Sequence, residues 1–145
     1  MNLEKAISLA AEKHAGQVDK MGRPYIIHPI MVMVGLGPDA TEAERIVAVL
    51  HDVVEDTDVT FDDLRRMGFS EEVVDAIRRL TKEEGYDEEK HLLAILDNVI
   101  AKKVKIKDIE HNMDLKRLKN KNDLQESDFK RLKRYLRWYG RLTGT

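Results

Sequence analysis

The run His51-Asp52-Val53-Val54-Glu55-Asp56 places one imidazole and three carboxylates at the end of an apolar segment. Carboxylates at the C-terminal end of a helix oppose the helix dipole, so their presence there needs a compensating interaction. A divalent cation would provide it, because imidazole nitrogen and carboxylate oxygen are both ligands for zinc, manganese and iron. The run therefore predicts a metal site and suggests a metal-dependent phosphohydrolase.

Two further segments offer ligands, His28 before Pro29 and Asp108 late in the chain. Adjacent residues of a helix do not face each other, so His51 and Asp52 share an ion only at a helix end or edge. Glu55 and Asp56 follow one turn later, at the right spacing for a proton acceptor or orienting group beside the ion's water. Cysteine is absent, so disulfides and thiolate ligands are excluded.

Helical periodicity dominates the chain and period-two alternation is missing, which predicts an all-α fold. The central helix is expected from Thr41 to Val54, with Thr41 and Glu44 forming a capping box. Other helices are predicted from Leu3 to His14, from Pro29 to Leu36, between the Thr60 cap and Gly68, after the Ser70 cap through the stripe Val73, Val74, Ile77 and Leu80, from Asp87 to Ala101, and from Val104 to Leu118.

A final helix is predicted after Ser127, with a buried stripe of Phe129, Leu132, Tyr135, Leu136 and Tyr139. Residues 101–145 carry 14 Lys and Arg against 6 Asp and Glu, whereas residues 1–100 carry 11 against 21. The basic residues alternate with apolar ones at helical spacing, which favours a solvated helix face over a nucleic-acid surface.

Length and composition describe one soluble domain spanning residues 1–145. No stretch approaches the roughly 20 apolar residues of a membrane span, and the N-terminal residues form an amphipathic helix rather than a signal peptide. We therefore expect a cytoplasmic protein that has no membrane partner.

Four segments together resemble the hydrolase domain of RelA/SpoT-type alarmone enzymes, which belongs to the HD superfamily. They are Gly22-Arg23-Pro24-Tyr25-Ile26-Ile27-His28-Pro29, His51-Asp52-Val53-Val54-Glu55-Asp56-Thr57, Leu80-Thr81-Lys82 and Lys105-Ile106-Lys107-Asp108-Ile109-Glu110-His111-Asn112-Met113. The resemblance implies an all-helical HD-domain bundle. It also implies a small stand-alone hydrolase that uses manganese to remove the 3′-pyrophosphate of ppGpp or pppGpp, the alarmones of the stringent response.

The resemblance assigns roles position by position. It implies four metal ligands, His28, His51, Asp52 and Asp108, and an acidic catalytic pair, Glu55 and Asp56. It places Lys82, His111 and Asn112 near the substrate. Which acid acts as the base stays open.

Two departures bear on substrate choice. Where the family has a basic residue beside the nucleobase, this chain has Asp19, and Lys20 or Arg23 would have to supply the cation. The aliphatic Ile109 follows Asp108 where the family commonly has Arg. Specificity for guanine is accordingly less firmly indicated than phosphohydrolysis.

Alternatives remain. An HD phosphohydrolase of this kind would also suit an adenine alarmone or NADPH, and a non-catalytic nucleotide- or RNA-binding module or a metal-stabilised scaffold would lack turnover. We expect a nucleotide partner, no nucleic acid, and leave a homo-oligomer open. His14 and Tyr25 are expected to be structural, and His91 is expected to be structural or exposed.

Overall fold

The computed structural model describes all 145 residues and is entirely helical, as the periodicity predicts. Its helices are α1 (Leu3–Lys13), α2 (Ile27–Gly35), α3 (Glu42–Leu50), α4 (Val53–Asp56), α5 (Phe61–Arg66), α6 (Glu71–Leu80), α7 (Glu88–Leu96), α8 (Val99–Asn112) and α9 (Glu126–Thr143), with a 3-10 turn at Leu115–Arg117. The α1–α2 loop closes on an isolated antiparallel bridge between Val18 and Pro24. No helix combines the length and apolar content that crossing a membrane requires.

Side-chain caps fix where several helices begin. Thr41 and Glu44 form the predicted capping box of α3, and Thr60 and Asp63 form that of α5. The Ser70 hydroxyl accepts the N–H of the third residue of α6, as predicted. Each cap satisfies backbone donors that have no partner within the helix.

The centre of the fold is α3, whose residues from Ile46 to Leu50 are all buried. It packs against α1, α2, α6 and α8, so side chains at its C-terminal end reach the interior of the bundle. The predicted stripe of α6 is buried in full and covers one side of α3. This arrangement holds the end of α3 in a fixed position relative to α2 and α8.

The predicted helix from Thr41 to Val54 is wrong at one point, because α3 ends at Leu50 and α4 begins at Val53. His51 and Asp52 form the turn between them. A continuous helix points adjacent side chains about 100° apart, whereas the turn lets both face the same side. The interruption therefore serves the candidate site.

His28 also lies elsewhere than predicted. Instead of preceding a helix that starts at Pro29, it lies in the first turn of α2, which begins at Ile27. Proline is tolerated there because backbone N–H groups of the first turn have no intrahelical acceptor. His28 is consequently held by regular helical backbone.

The predicted boundary between the two helices in the segment from Asp87 to Leu118 is also wrong. The break falls at Asp97 and Asn98 rather than after Ala101, and the Asn98 side chain caps α8 through the N–H of Ala101. At the other end, α8 stops at Asn112. Asparagine is a strong N-cap residue, so this boundary was present in the sequence as a capping signal.

The predicted stripe of α9 is wrong in part, since Tyr135 and Tyr139 pack against the core as predicted but two other members do not. Phe129 and Leu136 are 52% and 58% exposed, whereas Trp138 and Leu142 are 5% and 1% exposed. The Trp138 indole N–H donates to Glu88 Oε1 at 2.8 Å, and Arg141 pairs with Glu89 at 2.8 Å. These contacts to the start of α7 decide which face of α9 turns inward.

The orientation of α9 is tested by two leucine truncations. We expect Leu142→Ala to lower the free energy of unfolding by about 2–5 kcal/mol, since it leaves a cavity in the core. Leu136→Ala should change it by less than about 0.5 kcal/mol, because that side chain is mostly in water. Urea denaturation of both variants measures the difference. An equal or larger loss for Leu136→Ala would contradict this orientation.

Candidate metal centre

Three elements bring four predicted ligands together. His28 comes from α2, His51 and Asp52 from the turn after α3, and Asp108 from α8. His28, His51 and Asp108 are buried, and the Asp52 side chain is 18% exposed. Because α3 packs on both other helices, these side chains meet in the interior of the bundle.

The distances between ligand atoms fit one shared ion. Atoms of His28, His51 and Asp52 all lie within 4.8 Å of one another. Nε2 of His28 lies 2.9 Å from Asp108 Oδ1, and Nε2 of His51 lies 3.1 Å from Asp52 Oδ2 and 3.7 Å from Asp108 Oδ1. Octahedral bonds of about 2.1 Å put neighbouring ligands about 3 Å apart and opposite ones about 4.2 Å apart.

His51 gives the clearest test of whether a cation fits. Its Nδ1–H donates to the carbonyl of Ala48 at 2.6 Å, which leaves the Nε2 lone pair facing the site. That buried nitrogen has no hydrogen-bond partner. Burial disfavours the charged ring, yet the carboxylates of Asp52 and Asp108 raise the pKa of His51 well above its usual value. The same negative charges also attract a divalent cation.

His28 is oriented from behind by a second histidine. The two Nδ1 atoms of His28 and His111 lie 2.7 Å apart, and the rings stack at 5.0 Å. Burial, then the charges of His28 and Arg117, lower the pKa of His111 to about 4, so this ring is neutral and shares one proton with His28 across the two Nδ1 atoms. His111 was predicted near the substrate, but its contact is with a candidate ligand.

Asp108 uses its two oxygens differently. Oδ1 faces the histidines and accepts a hydrogen bond from Asn112 Nδ2 at 3.0 Å. Oδ2 pairs with the Lys105 ammonium at 2.9 Å. The Asn112 amide is fixed in turn by Arg117, which donates to its oxygen at 2.6 Å. Partners of this kind orient a metal ligand without touching the metal.

The Lys105 contact is tested by Lys105→Met, which keeps the aliphatic stem and removes the charge. We expect metal affinity to fall by about 10–100-fold, the usual cost of losing a partner that orients a ligand. Calorimetric titration with manganese measures the affinity, and Lys105→Arg should restore most of it. Tighter binding in Lys105→Met would show instead that repulsion between the ammonium and the cation dominates.

The acidic pair divides between two environments. Glu55 lines the same cavity as the candidate ligands, and its Oε1 accepts the backbone N–H of Lys82 at 2.7 Å. Asp56 lies outside that cavity, near the Gln17 side chain. Burial, followed by repulsion from Asp52, raises the pKa of both carboxyls. Of the two carboxyl groups, only that of Glu55 lines the metal cavity directly.

The metal cavity has a volume of about 170 Å³. It is lined by Tyr25, His28, His51, Asp52, Glu55, Leu80, Lys82, His91, Lys105, Asp108 and Asn112. Two other cavities adjoin it. The loop cavity, about 290 Å³, is lined by Gln17, Val18, Asp19, Lys20, Met21, Tyr25, Asn112, Arg117, Leu118, Arg131 and Tyr135. The aromatic cavity, about 100 Å³, is lined by Lys82, Tyr86, Lys105, Ile109, Asn112, Arg134, Tyr135 and Trp138.

Asn112 lines all three cavities and therefore marks their junction. Among the predicted substrate contacts, Lys82 lies at the metal and aromatic cavities and Lys20 at the loop cavity. Arg23 lines none of the three. Its guanidinium lies 3.7 Å from Asp19 and 3.5 Å from the carbonyl of Lys116, which draws it away from the centre.

Asp19 is held in place by its own loop. Its Oδ1 accepts the N–H groups of Met21 at 2.8 Å and Arg23 at 3.0 Å, while Oδ2 lies 3.9 Å from Arg117 across the loop cavity. The carboxylate that stands in place of a basic residue thus faces a guanidinium on the opposite wall. Arg117 adds a second guanidinium beside this carboxylate, since Arg23 of the same loop lies 3.7 Å from Oδ2 as well.

Several residues of the site lie outside the sequence prediction. Tyr25 was expected to fill the core, but its hydroxyl donates to Asp52 Oδ2. His91 lines the metal cavity, and Arg117 supports Asn112. Lys105 carried a usable signal, since it lies three residues before Asp108 on one helix face. No sequence signal pointed to Arg117, because it reaches Asn112 only through the turn that the chain makes after α8.

No protein-family model matches the chain. It is 40% identical over 81 residues to the guanosine-3′,5′-bis(diphosphate) 3′-pyrophosphohydrolase of Aquifex aeolicus, a match covering 55% of this chain and 12% of that protein. It is 32% identical over 122 residues to the bifunctional (p)ppGpp synthase/hydrolase SpoT of Escherichia coli, covering 77% and 17%. The chain thus spans 12 to 17% of the length of these curated relatives.

Among solved structures, the chain matches a metazoan ortholog of SpoT that is described as hydrolysing ppGpp. The TM-score is 0.75 at 24% sequence identity, and the match covers 97% of this chain and 84% of that one. At this identity the match establishes a shared fold. The sequence matches and the shared fold support the predicted resemblance to the hydrolase domain of RelA/SpoT-type proteins.

Proposed function

We propose that the protein is a metal-dependent pyrophosphohydrolase that removes the 3′-pyrophosphate of ppGpp or pppGpp. The observation that carries this proposal is the cluster of ligand atoms from His28, His51 and Asp52 within 4.8 Å of one another. Asp108 Oδ1 lies beside the two histidines, 2.9 Å from His28 Nε2 and 3.7 Å from His51 Nε2, and Glu55 lines the same cavity. The names of the sequence relatives supply the substrate class.

The four ligands fit a six-coordinate ion such as manganese, because they leave positions for water and a phosphate oxygen. A divalent cation held there supplies a water that is nucleophilic near neutral pH, together with positive charge for the phosphate oxygens. The surrounding residues then have separate tasks. Lys82 and Lys105 bring ammonium groups to the cavity wall, and Asn112 supports Asp108.

In the proposed reaction the oxygen of a water molecule forms a bond to the phosphorus attached to the ribose 3′-oxygen. The bond between that phosphorus and the 3′-oxygen breaks, which releases pyrophosphate and GDP or GTP. One proton of the water passes to the Glu55 carboxylate and is returned to the 3′-oxygen. Glu55 suits this role better than Asp56, since only Glu55 lines the metal cavity.

The nucleoside is proposed to occupy the loop cavity, which is the largest of the three adjoining cavities. Tyr25 and Tyr135 offer aromatic surface there, and Arg117 offers a planar guanidinium on which a base can stack. The same residues accept any purine by stacking, so the adenine alarmone and NADPH belong in the test as competing substrates.

The test is product analysis after incubation of manganese-loaded protein with ppGpp, pppGpp, their adenine counterparts and NADPH. We expect pyrophosphate and the corresponding 5′-phosphorylated nucleoside from the 3′-pyrophosphorylated substrates. If NADPH is the only substrate turned over, with release of inorganic phosphate, the same metal centre has a different substrate from the one proposed. No turnover of any of them with metal bound would overturn the proposal.

A further inference from the structure

Three positively charged side chains and no acidic side chain line the aromatic cavity. Lys82 and Arg134 stand at its mouth and form no ion pair with any carboxylate. Lys105 enters from α8 and is paired only through Asp108. The cavity lining contains no acidic residue. Two unpaired cations, beside a third whose charge is offset by Asp108, leave a net positive charge at this cavity that suits an anion.

Aromatic rings orient these cations. The Lys82 ammonium lies 5.1 Å from the centroid of the Tyr86 ring, and the Lys105 ammonium lies 5.4 Å from that of Trp138. The Arg134 guanidinium lies 5.6 Å from the Tyr135 ring. Cation–π contacts within about 6 Å are attractive but leave the N–H donors available to a ligand. The charges are therefore positioned in advance of binding.

The neighbouring His91 responds to the same positive field. Burial, and then the charges of Lys105 and Lys82, lower the pKa of His91 to about 4. A histidine in this environment is neutral at physiological pH, so the positive charge near this cavity comes from the lysine and arginine side chains. The lowered pKa of His91 agrees with the position of the Lys82 and Lys105 ammonium groups close to this histidine.

Size and position restrict the anion. A volume of about 100 Å³ holds about three waters at roughly 30 Å³ each, which suits one phosphoryl group and excludes a nucleoside. Lys82, Lys105 and Asn112 line both this cavity and the metal cavity. A phosphate joined by one bridging oxygen to a phosphate at the metal centre would lie here.

We propose that the aromatic cavity binds the distal phosphate of a diphosphate group whose proximal phosphate lies at the metal centre, with Arg134 as a specificity-determining residue. The inference rests on the proposed function for the identity of the substrate. It adds that α9 contributes directly to substrate choice. A 3′-diphosphate is then preferred over a 3′-monophosphate because only the former reaches Arg134.

Direct binding tests the subsite without turnover. Inorganic pyrophosphate and inorganic phosphate are titrated calorimetrically into manganese-loaded wild-type, Arg134→Gln and Lys133→Gln protein. Lys133 is an exposed neighbour on α9 that forms no ion pair and lines none of the three cavities, so it controls for the loss of one charge. We expect Arg134→Gln to weaken pyrophosphate binding by about tenfold or more and phosphate binding much less. Lys133→Gln should leave both unchanged.

Equal weakening by the two α9 variants, or none by Arg134→Gln, would overturn the subsite. GDP is included because its 5′-diphosphate has the same chemistry: dependence on Arg134 for GDP but not for pyrophosphate would assign the cavity to the 5′ group and overturn the inference. Circular dichroism confirms folding. Lys82→Met is a comparison variant that should weaken the binding of both anions, because Lys82 lines the metal cavity as well as the aromatic cavity.

Kinetics separates this inference from the proposed function. If wild-type protein hydrolyses ppGpp, Arg134→Gln should raise KM for the 3′-diphosphate and reduce the preference over a 3′-monophosphate by about tenfold. If no 3′-pyrophosphorylated nucleotide is hydrolysed but pyrophosphate binding still depends on Arg134, the proposed function fails and the subsite stands. Hydrolysis of ppGpp with unchanged KM and unchanged preference in Arg134→Gln refutes the subsite alone.

Discussion

Asp52→Ala is expected to abolish both metal binding and hydrolysis. Asp52 Oδ2 lies 3.1 Å from His51 Nε2, and its removal takes away one of the two carboxylates that balance a divalent charge at the centre. Loss of the bound ion removes the source of a nucleophilic water, so turnover should fall to the background rate. Metal content after gel filtration and pyrophosphate release measure the two effects.

Asp58→Ala is the matched control for this experiment. The Asp58 side chain is 83% exposed and pairs only with Lys13 on the surface, so the variant should keep its metal and its rate. Asp108→Asn is a second variant with the same expected outcome as Asp52→Ala. Full turnover by metal-free Asp52→Ala protein would refute the metal-dependent mechanism.

Glu55→Gln is expected to retain the metal and lose about 10²–10⁴-fold in kcat, the usual contribution of a positioned proton acceptor. The amide is almost isosteric with the carboxylate and can still accept the Lys82 N–H through its oxygen. The ligand geometry should therefore survive. Metal titration and steady-state kinetics on the same preparation separate binding from rate.

Two comparisons sharpen this result. Glu72→Gln, an exposed position on α6, should leave kcat unchanged. Asp56→Asn should cost less than Glu55→Gln, since Asp56 lies outside the metal cavity and contacts Gln17. A larger loss for Asp56→Asn would transfer the role of proton acceptor to Asp56.

Elements defined by local signals were predictable from the sequence. The capping boxes at Thr41 and Thr60 and the buried stripe of α6 depend on residues within one or two turns, and the structure confirms them. The inward face of α9 was not predictable in this way. It depends on Trp138 meeting Glu88, residues 50 positions apart, and periodicity carries no information about such a pairing.

The candidate site shows the same division. His51 and Asp52 stood out in the sequence because polar residues interrupt an apolar run. Their side chains point the same way because the chain turns between α3 and α4, and the apolar periodicity, which continues through Val53 and Val54, gives no sign of that turn. The predicted ligands are adjacent in the structure, and their roles as ligands stay predictions. Tyr25 and Arg117 became visible only when the loop after α1 and the turn after α8 met across one cavity.

The Asp19–Arg117 pair also constrains how such a protein can change over generations. Both side chains are largely enclosed, at 13% and 17% exposure, and each offsets the charge of the other. A single mutation to a basic residue at position 19 would set its charge against Arg117 and also against Arg23, which pairs with the same carboxylate. Because these charges interact, the cost of such a mutation depends on what residues 23 and 117 carry at the time, and the order of changes matters.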